Sequence, residues 1–228
     1  MTIINQIKDI ILKHTKTDRI YLYGSFIDDT TENFSDIDIA FDDKDFTKLS
    51  IITEEINKLN SLVKIDVKNL AFAEERFINR VKLQGKIIYS ASKKLRAEDG
   101  LYNFTKAVNQ FEKILNAKDT LYKDGYNDFY LDVLVKRFEF TYEMSWKAIK
   151  RFLEYNGITC NYPRNCFKEA YAQKLITDET IWLEMIESRN LTAHVYNEFE
   201  ITPILDRVSL YLIAFLELKN KLEEVSSD

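Results

Sequence analysis

The pattern of the sequence changes once, near residues 91–100, and this change constrains the fold more than any other feature. Before it, short apolar runs alternate with amphipathic stretches, as they do in small α/β domains. After it, long helical periodicities follow one another and no strand pattern recurs. We therefore expect an α+β protein with two domains, an N-terminal α/β domain with a mixed sheet over 1–92 and an all-α antiparallel bundle over 100–228.

The expected elements alternate between strand and helix in the first domain and are all helical in the second. Four strands are predicted in the first domain, at 19–24, 37–41, 62–70 and 86–90. Three helices are predicted there, at 3–15, 45–60 and 72–84. The helices predicted for the second domain lie at about 101–122, 128–156, 164–174, 178–192 and 203–224. Gly125 and Gly157 fall where two of these helices should end.

Composition excludes several classes of protein. The 228 residues are 46% hydrophobic and 30% charged, which is typical of a globular protein. Because no apolar run approaches the ~20 residues of a membrane helix and the N-terminus has no signal-peptide pattern, we expect a cytoplasmic protein without a membrane partner. The formal net charge of −5 disfavours non-specific coating of nucleic acid. Cys160 and Cys166 are expected to be free thiols.

A Gly-Ser pair and an Asp-x-Asp pair accompany the first two predicted strands. Gly24 and Ser25 end the first strand, and Asp36 and Asp38 belong to the second. Side chains alternate along a strand, so the two aspartates share one face, where paired carboxylates favour an oxygen-seeking cation such as Mg²⁺. Asp66, in the run VKIDV, can add a third carboxylate from a neighbouring strand. With phosphate held at the Gly-Ser turn, this set suits metal-assisted displacement at a nucleotide α-phosphate.

The segments LYGSF, SDIDIAF and VKIDV together resemble the minimal nucleotidyltransferases of the DNA polymerase β superfamily. The resemblance covers about residues 1–90. It implies that Asp36, Asp38 and Asp66 hold Mg²⁺, that ATP is the nucleotide donor, and that the Gly-Ser pair contacts phosphate. It also implies that Asp66 can accept the proton of the attacking hydroxyl. The sequence departs from the family at Asp28-Asp29, where many members carry a basic residue.

Arg189, His194 and Tyr196 lie in the stretch SRNLTAHVYNE of the helical half. Five residues separate the arginine from the histidine, which would place them on different faces of one helix. From this spacing alone, a capping arginine and a structural histidine are the simpler interpretation. A helix end between them, or a two-fold dimer, would bring them together. His194 could then act as general acid or base on a phosphodiester, and Arg189 could stabilise the charge that develops.

The motif RNLTAHVY fits the Arg-x4-His-x-Tyr pattern of HEPN domains. The stretches RFEFTYEMSWKAIKRFLEYNG, PRNCFKEAY and WLEMIESRNLTAHVYNE also resemble nucleotidyltransferase substrate-binding proteins, over about residues 100–225. The resemblance implies a homodimer formed through the helical domain and RNA cleavage at Arg189 and His194. It further implies a fused antitoxin and toxin, in which AMP added to Tyr196 of the same or the partner chain silences the ribonuclease. An adenylate beside Arg189 would block a phosphate site.

Two other functions stay open at this stage. A transferase domain followed by a helical bundle is also similar to the aminoglycoside nucleotidyltransferases, and the acidic second half suits a cationic small substrate. This alternative leaves the Arg-x4-His-x-Tyr motif without a role. The other alternative is a metal-independent endoribonuclease whose front half only senses nucleotide, and the acidic Asp28-Asp29 pair motivates it.

Overall fold

The computed structural model describes residues 2–24, 36–192 and 205–226. The chain divides into two compact units, Met1–Ser92 and Lys93–Asp228, and each has a hydrophobic core of its own. The first unit contains a small mixed sheet with helices, and the second has helices and no strand within its described residues. The predicted α+β class is therefore confirmed.

The first unit is built on a mixed sheet that has four strands within the described residues. The strands are β1 (Arg19–Tyr23), β2 (Ile37–Phe41), β3 (Ile65–Asn69) and β4 (Lys86–Ser90). They lie in the order β3-β2-β1-β4. The β2–β3 pairing is parallel, and the β1–β2 and β1–β4 pairings are antiparallel. Because parallel strands need a crossover connection, the chain passes through a helix between β2 and β3.

Helices cover both faces of the sheet. They are α1 (Ile3–His14), α2 (Leu49–Ile56) and α3 (Glu75–Gln84). The first two pack on one face through an isoleucine-rich core that includes Ile37 and Ile39 of β2. The third packs on the other face, where Val81 meets Tyr23 and Ala40. Since β2 alternates its side chains between the faces, Asp38 is directed to the α3 side of the sheet.

Helix α2 and strand β3 are shorter than the sequence predicts. The side-chain amide of Asn69 donates to the carbonyl oxygens of Asp43 and Phe46, at 2.7 and 2.9 Å. These hydrogen bonds hold residues 43–46 as a loop, so the helix begins only at Leu49. The apolar periodicity continues through this loop because Phe46 still packs against the core.

The second unit is a helical bundle. Its described helices are α4 (Lys93–Asn116), α5 (Lys118–Lys123), α6 (Asn127–Tyr155), α7 (Pro163–Ala172), α8 (Glu179–Thr192) and α9 (Val208–Ser226). Helices α4 and α6 are antiparallel, because Phe111 contacts the ring of Phe138 while Thr141, one turn later, reaches the carbonyl of Ala107. Among the helices of the described residues, none is long and apolar enough to cross a membrane.

Two glycines end helices as predicted. Gly125 and Gly157 both have a φ of +80°, a conformation that residues with a side chain rarely adopt. The amides that follow them donate back into the helix, from Tyr126 to Leu121 and from Ile158 to Leu153. This is the hydrogen-bond pattern of a helix that ends in a left-handed residue.

The helical unit begins within residues 91–100, the segment where the sequence pattern changes. Helix α4 already begins at Lys93, and the helix predicted at 101–122 is divided between α4 and α5. Gly100 lies inside α4 and is buried. A methyl group there would come within 2.9 Å of the Arg151 side chain and 3.3 Å of the Ala148 backbone. The glycine therefore permits a close approach of α4 to α6.

The prediction of free thiols at Cys160 and Cys166 is wrong. The two cysteines form a disulfide with their Cα atoms 5.1 Å apart, and both are fully buried. The physical reason is the turn between α6 and α7, which folds back as α7 begins and brings the two side chains together. Sequence spacing alone does not reveal such a turn.

Candidate active site

Three side chains form a row across three strands of the sheet. Tyr23 of β1 pairs with Asp38 of β2, and Asp38 pairs with Asp66 of β3. Directly paired positions present their side chains to the same face, so the tyrosine and both carboxylates lie on the face covered by α3. Asp36 comes just before β2 and two residues before Asp38, so the alternation of the strand directs both side chains to the same face. The fold thus brings the three predicted aspartates to one region of one face.

Gly24 follows β1 with a φ of +79°, beside the carboxylate of Asp38. A side chain at this position would overlap the Asp38 carboxylate. The backbone can therefore pass this close to Asp38 only because residue 24 is glycine. Ser25, the other member of the predicted phosphate-contacting pair, lies outside the described residues.

The three carboxylates affect one another electrostatically. Burial, together with the negative charges of Asp66 and Asp36, raises the pKa of Asp38 above its usual value. The two outer carboxylates contact lysines: Asp36 lies 3.4 Å from the ammonium of Lys64, and Asp66 lies 3.3 Å from that of Lys68. These lysines offset part of the negative charge that the aspartates bring together.

The donor set suits a hard divalent cation. Oxygen-only ligands are the kind that Mg²⁺ prefers, and Asp36, Asp38 and Asp66 offer only carboxylate oxygens. Across residues 2–24, 36–192 and 205–226, however, no group of three or more Asp, Glu, His or Cys side chains is arranged to hold a metal. Asp36 and Asp66 contact Lys64 and Lys68 here. The chemistry of the residues fits Mg²⁺, and the metal site itself stays a prediction.

A pocket of about 450 Å³ opens beside Gly24 and Asp38, and the sequence did not predict its other walls. Its lining consists of Tyr23, Gly24, Asp38, Lys68, Phe77, Arg80, Val81 and Gln84. The ammonium of Lys68 and the guanidinium of Arg80 lie 5.0 and 5.3 Å from the centre of the Phe77 ring. Side chains alternate along a strand, so Lys64, Asp66 and Lys68 are directed to the same face of the sheet. This alternation in the sequence could have predicted that Lys68 lies near Asp66. No comparable signal in the sequence indicates Arg80.

Tyr23 contributes a buried hydroxyl to this site. The residue is 8% exposed, and its hydroxyl has no hydrogen-bond partner within the part of the chain that the structure describes. Burial, with the nearby charges of Asp66 and Asp38, raises the pKa of this phenol well above its usual value. The group is therefore protonated at neutral pH and is available as a hydrogen-bond donor.

The helical unit presents Arg189 at the exposed surface of α8. The arginine lines a groove of about 760 Å³ together with α6 residues that include Phe129, Lys136 and Glu143. Burial raises the pKa of the neighbouring Tyr142 to about 12, and the positive charge of Arg189 opposes that rise. The predicted partners of Arg189, His194 and Tyr196, lie outside the described residues. Their convergence with Arg189 stays a prediction.

A mixed sheet that pairs aspartates beside a glycine turn, followed by a helical bundle, defines a nucleotidyltransferase-type protein with a helical second domain. The family comparisons agree with this class. Residues 99–224 match the family described as nucleotidyltransferase substrate binding protein like, which covers more than half of the chain, and residues 5–94 match the polymerase beta nucleotidyltransferase family. The chain belongs to the nucleotidyltransferase substrate binding protein-like family and carries a polymerase β-type nucleotidyltransferase domain.

The proteins similar to this chain include a curated relative and two solved structures. The probable ribonuclease HepT of Haemophilus influenzae is 28% identical over 95 residues, which are 40% of this chain and 65% of that protein. A solved H. influenzae protein with the fold of a substrate binding domain of a nucleotidyltransferase is 24% identical, with a TM-score of 0.49 over 54% of this chain and 98% of that one. A solved structure from Thermus thermophilus is 25% identical, with a TM-score of 0.41 over 55% of this chain and 98% of that one.

Proposed function

We propose that this protein is a Mg²⁺-dependent nucleotidyltransferase that transfers AMP from ATP to Tyr196 of its own helical domain or of the same domain in a partner copy. The observation that carries the proposal is the in-register placement of Asp38 and Asp66 on neighbouring strands, beside the Gly24 turn. The similarity of the chain to a probable ribonuclease supports the helical domain as the target, since adenylation there would silence an RNA-cleaving site.

The reaction is a displacement at the α-phosphorus of ATP. The phenolic oxygen of Tyr196 forms a bond to this phosphorus, the bond from the phosphorus to the bridging oxygen of the β-phosphate breaks, and pyrophosphate leaves. Asp66 accepts the phenolic proton. Asp36, Asp38 and Asp66 would hold Mg²⁺, whose charge offsets the negative charge that develops on the phosphate.

The presence of both domains in one chain favours this acceptor. A tethered domain keeps its tyrosine at a high effective concentration near the transferase site, whether the reaction occurs within one chain or across a dimer. The product is a bulky, negatively charged group two residues from His194 in the sequence. Such a group would neutralise Arg189 and exclude an RNA phosphate from the same place.

The experiment is intact mass spectrometry of the full-length protein. The protein is first freed of any adenylate with a phosphodiesterase, and it is then incubated with ATP and Mg²⁺. We expect a mass increase of one or more adenylates, and peptide mapping should place them on Tyr196. The increase should be absent from the Asp36→Asn/Asp38→Asn double variant, because the cation would lose two of its carboxylates.

Two variants make the outcome specific. Tyr196→Phe should abolish the mass increase, whereas Tyr171→Phe, which changes an exposed tyrosine of the same unit, should leave it unchanged. A protein that binds ATP but gains no mass would contradict the proposal. If it instead adenylates aminoglycosides, the alternative small-molecule transferase is the correct function.

A further inference from the structure

We propose that the pocket beside Asp38 binds the polyphosphate end of the nucleotide. Lys68 and Arg80 are its cationic residues, and the hydroxyl of Tyr23 is its neutral donor. This inference rests on the proposed function, because it assigns the phosphate-binding residues of the same site. It concerns residues that the motif of the family does not include.

The first argument is the arrangement of the two cations. Lys68 projects from β3 and Arg80 from α3, yet both lie over the ring of Phe77. Two elements that are separate in the sequence thus direct positive charge to one pocket, whose volume of about 450 Å³ can admit a small ligand. The Lys68 ammonium also lies 3.3 Å from the Asp66 carboxylate, so it stands between that carboxylate and the pocket. Phosphate oxygens match both the ammonium and the guanidinium donors.

The second argument is the hydroxyl of Tyr23, which has no hydrogen-bond partner among the described residues. A buried hydroxyl without a partner is costly, and such groups in folded proteins call for an explanation. This side chain lines the same pocket as Lys68 and Arg80, and a phenol carries its proton at neutral pH. It therefore needs an acceptor, and a phosphate oxygen is an acceptor. The same ligand would satisfy the neutral donor and both cations.

The third argument is the composition of the segment that follows Gly24. Residues 25–35 read SFIDDTTENFS, which includes two aspartates and a glutamate but neither lysine nor arginine. The side chains of this segment cannot supply the positive charge that a triphosphate needs. Lys68 on β3 and Arg80 on α3 are the lysine and arginine that line the pocket.

The test measures binding of inorganic tripolyphosphate and of AMP to the full-length protein by isothermal titration calorimetry with Mg²⁺ present. Neither probe can donate an adenylate, so transfer does not interfere. Arg80→Gln should weaken tripolyphosphate binding about tenfold, the factor associated with one charge-assisted hydrogen bond, and should change AMP binding less than about twofold. Arg76→Gln, an exposed arginine on the same helix but not on the pocket wall, should change neither.

Tyr23→Phe separates a binding role from a structural one. The variant should bind tripolyphosphate about threefold more weakly, because it lacks the donor. Its unliganded form should melt no lower than the wild type, because the hydroxyl removed has no partner among the described residues. Loss of stability without loss of affinity would assign Tyr23 to packing alone.

The outcomes distinguish this inference from the proposed function. Tripolyphosphate affinity that is absent in the wild type, or unchanged in Arg80→Gln and Lys68→Gln, overturns the inference even if Tyr196 is adenylated. Affinity that depends on Arg80 in a protein that never adenylates Tyr196 upholds the inference and rejects the tyrosine as acceptor.

Discussion

At the scale of single residues, Asp38 is in an unfavourable position for a charge. Its carboxylate is partly buried and has Asp66 and Asp36 as neighbours, so its pKa is raised. Lys64 and Lys68 contact the two outer aspartates and not Asp38. A site that concentrates negative charge in this way lowers the stability of the unliganded protein in exchange for cation binding.

Asp38→Asn should therefore stabilise the unliganded protein at neutral pH. The pKa of Asp38 is higher in the folded protein than the 3.8 of the unfolded chain. Ionisation of Asp38 therefore lowers the free energy of unfolding progressively as the pH rises from 3.8 through the folded pKa. Above the folded pKa the full loss of stability persists. Removing the charge should raise the Tm at pH 7 by about 1–3 °C, a small shift because solvent screens part of the repulsion at this half-buried carboxylate. Calorimetric melting of both proteins from pH 3 to 8 measures this difference, which should vanish at the acid end.

Two comparisons make this stability prediction specific. Asp45→Asn, which removes an exposed carboxylate of the same unit, should not raise the Tm. Added Mg²⁺ should raise the Tm of the wild type more than that of Asp38→Asn, since the variant lacks one carboxylate. An Asp38→Asn protein that melts at or below the wild-type temperature at pH 7 would show that the carboxylate is not under electrostatic strain.

Sequence reasoning could predict the carboxylates of the site and, from the alternation of β3, Lys68, but it could not predict Arg80 or Tyr23. Asp36 and Asp38 follow from the period of a strand, and Asp66 from the alternation of the next one. Arg80 is different, because its place in the site depends on how α3 packs across the sheet. Tyr23 reads as a core residue of β1, and only the pairing of β1 with β2 reveals that it stands opposite Asp38. The periodicity of a single strand or helix can be recognised in one sequence, whereas the contacts between separate strands and helices cannot.

At the scale of elements, α6 has two distinct sides. Phe138 is fully buried against Phe111, Tyr142 and Tyr211, whereas Phe140, two residues later, is 49% exposed. Phe138→Ala should lower the free energy of unfolding by about 3–5 kcal/mol, because it opens a cavity among packed rings. Phe140→Ala should change it by less than about 0.5 kcal/mol. Urea denaturation followed by circular dichroism measures both, and equal losses would contradict the packing of this helix.

The elements also show where local signals in a sequence are sufficient. The strand at 37–41 and the helix ends at Gly125 and Gly157 follow from patterns of a few neighbouring residues, and they were predicted correctly. The role of Gly100 has no such local signal, because it lets Ala148 and Arg151 of another helix come close. The Cys160–Cys166 disulfide was missed for the same reason, since the turn that joins α6 to α7 brings the cysteines together.

At the scale of the whole molecule, the chain joins a transferase-type domain to a helical domain of a family associated with such transferases. If adenylation of Tyr196 silences an RNA-cleaving site, the first domain acts as a permanent inhibitor of the second. The two activities should then be opposed: a molecule that transfers AMP should not cleave RNA, and a molecule that cannot transfer AMP should. This opposition separates the proposed function from an aminoglycoside transferase, which has no use for Arg189 and His194.

Disabling the transferase should therefore release ribonuclease activity in the full-length protein. We expect Asp38→Asn to cleave a labelled RNA at least about 10²-fold faster than adenylated wild type, the factor that general acid–base catalysis commonly contributes. Adding Arg189→Ala or His194→Ala to this variant should remove the activity, because the phosphate site or its acid–base group is lost. Lys168→Ala, which changes an exposed lysine of the same unit, should leave it intact. If Asp38→Asn is no more active than adenylated wild type, the transferase does not restrain a ribonuclease, and the helical domain serves to bind substrate.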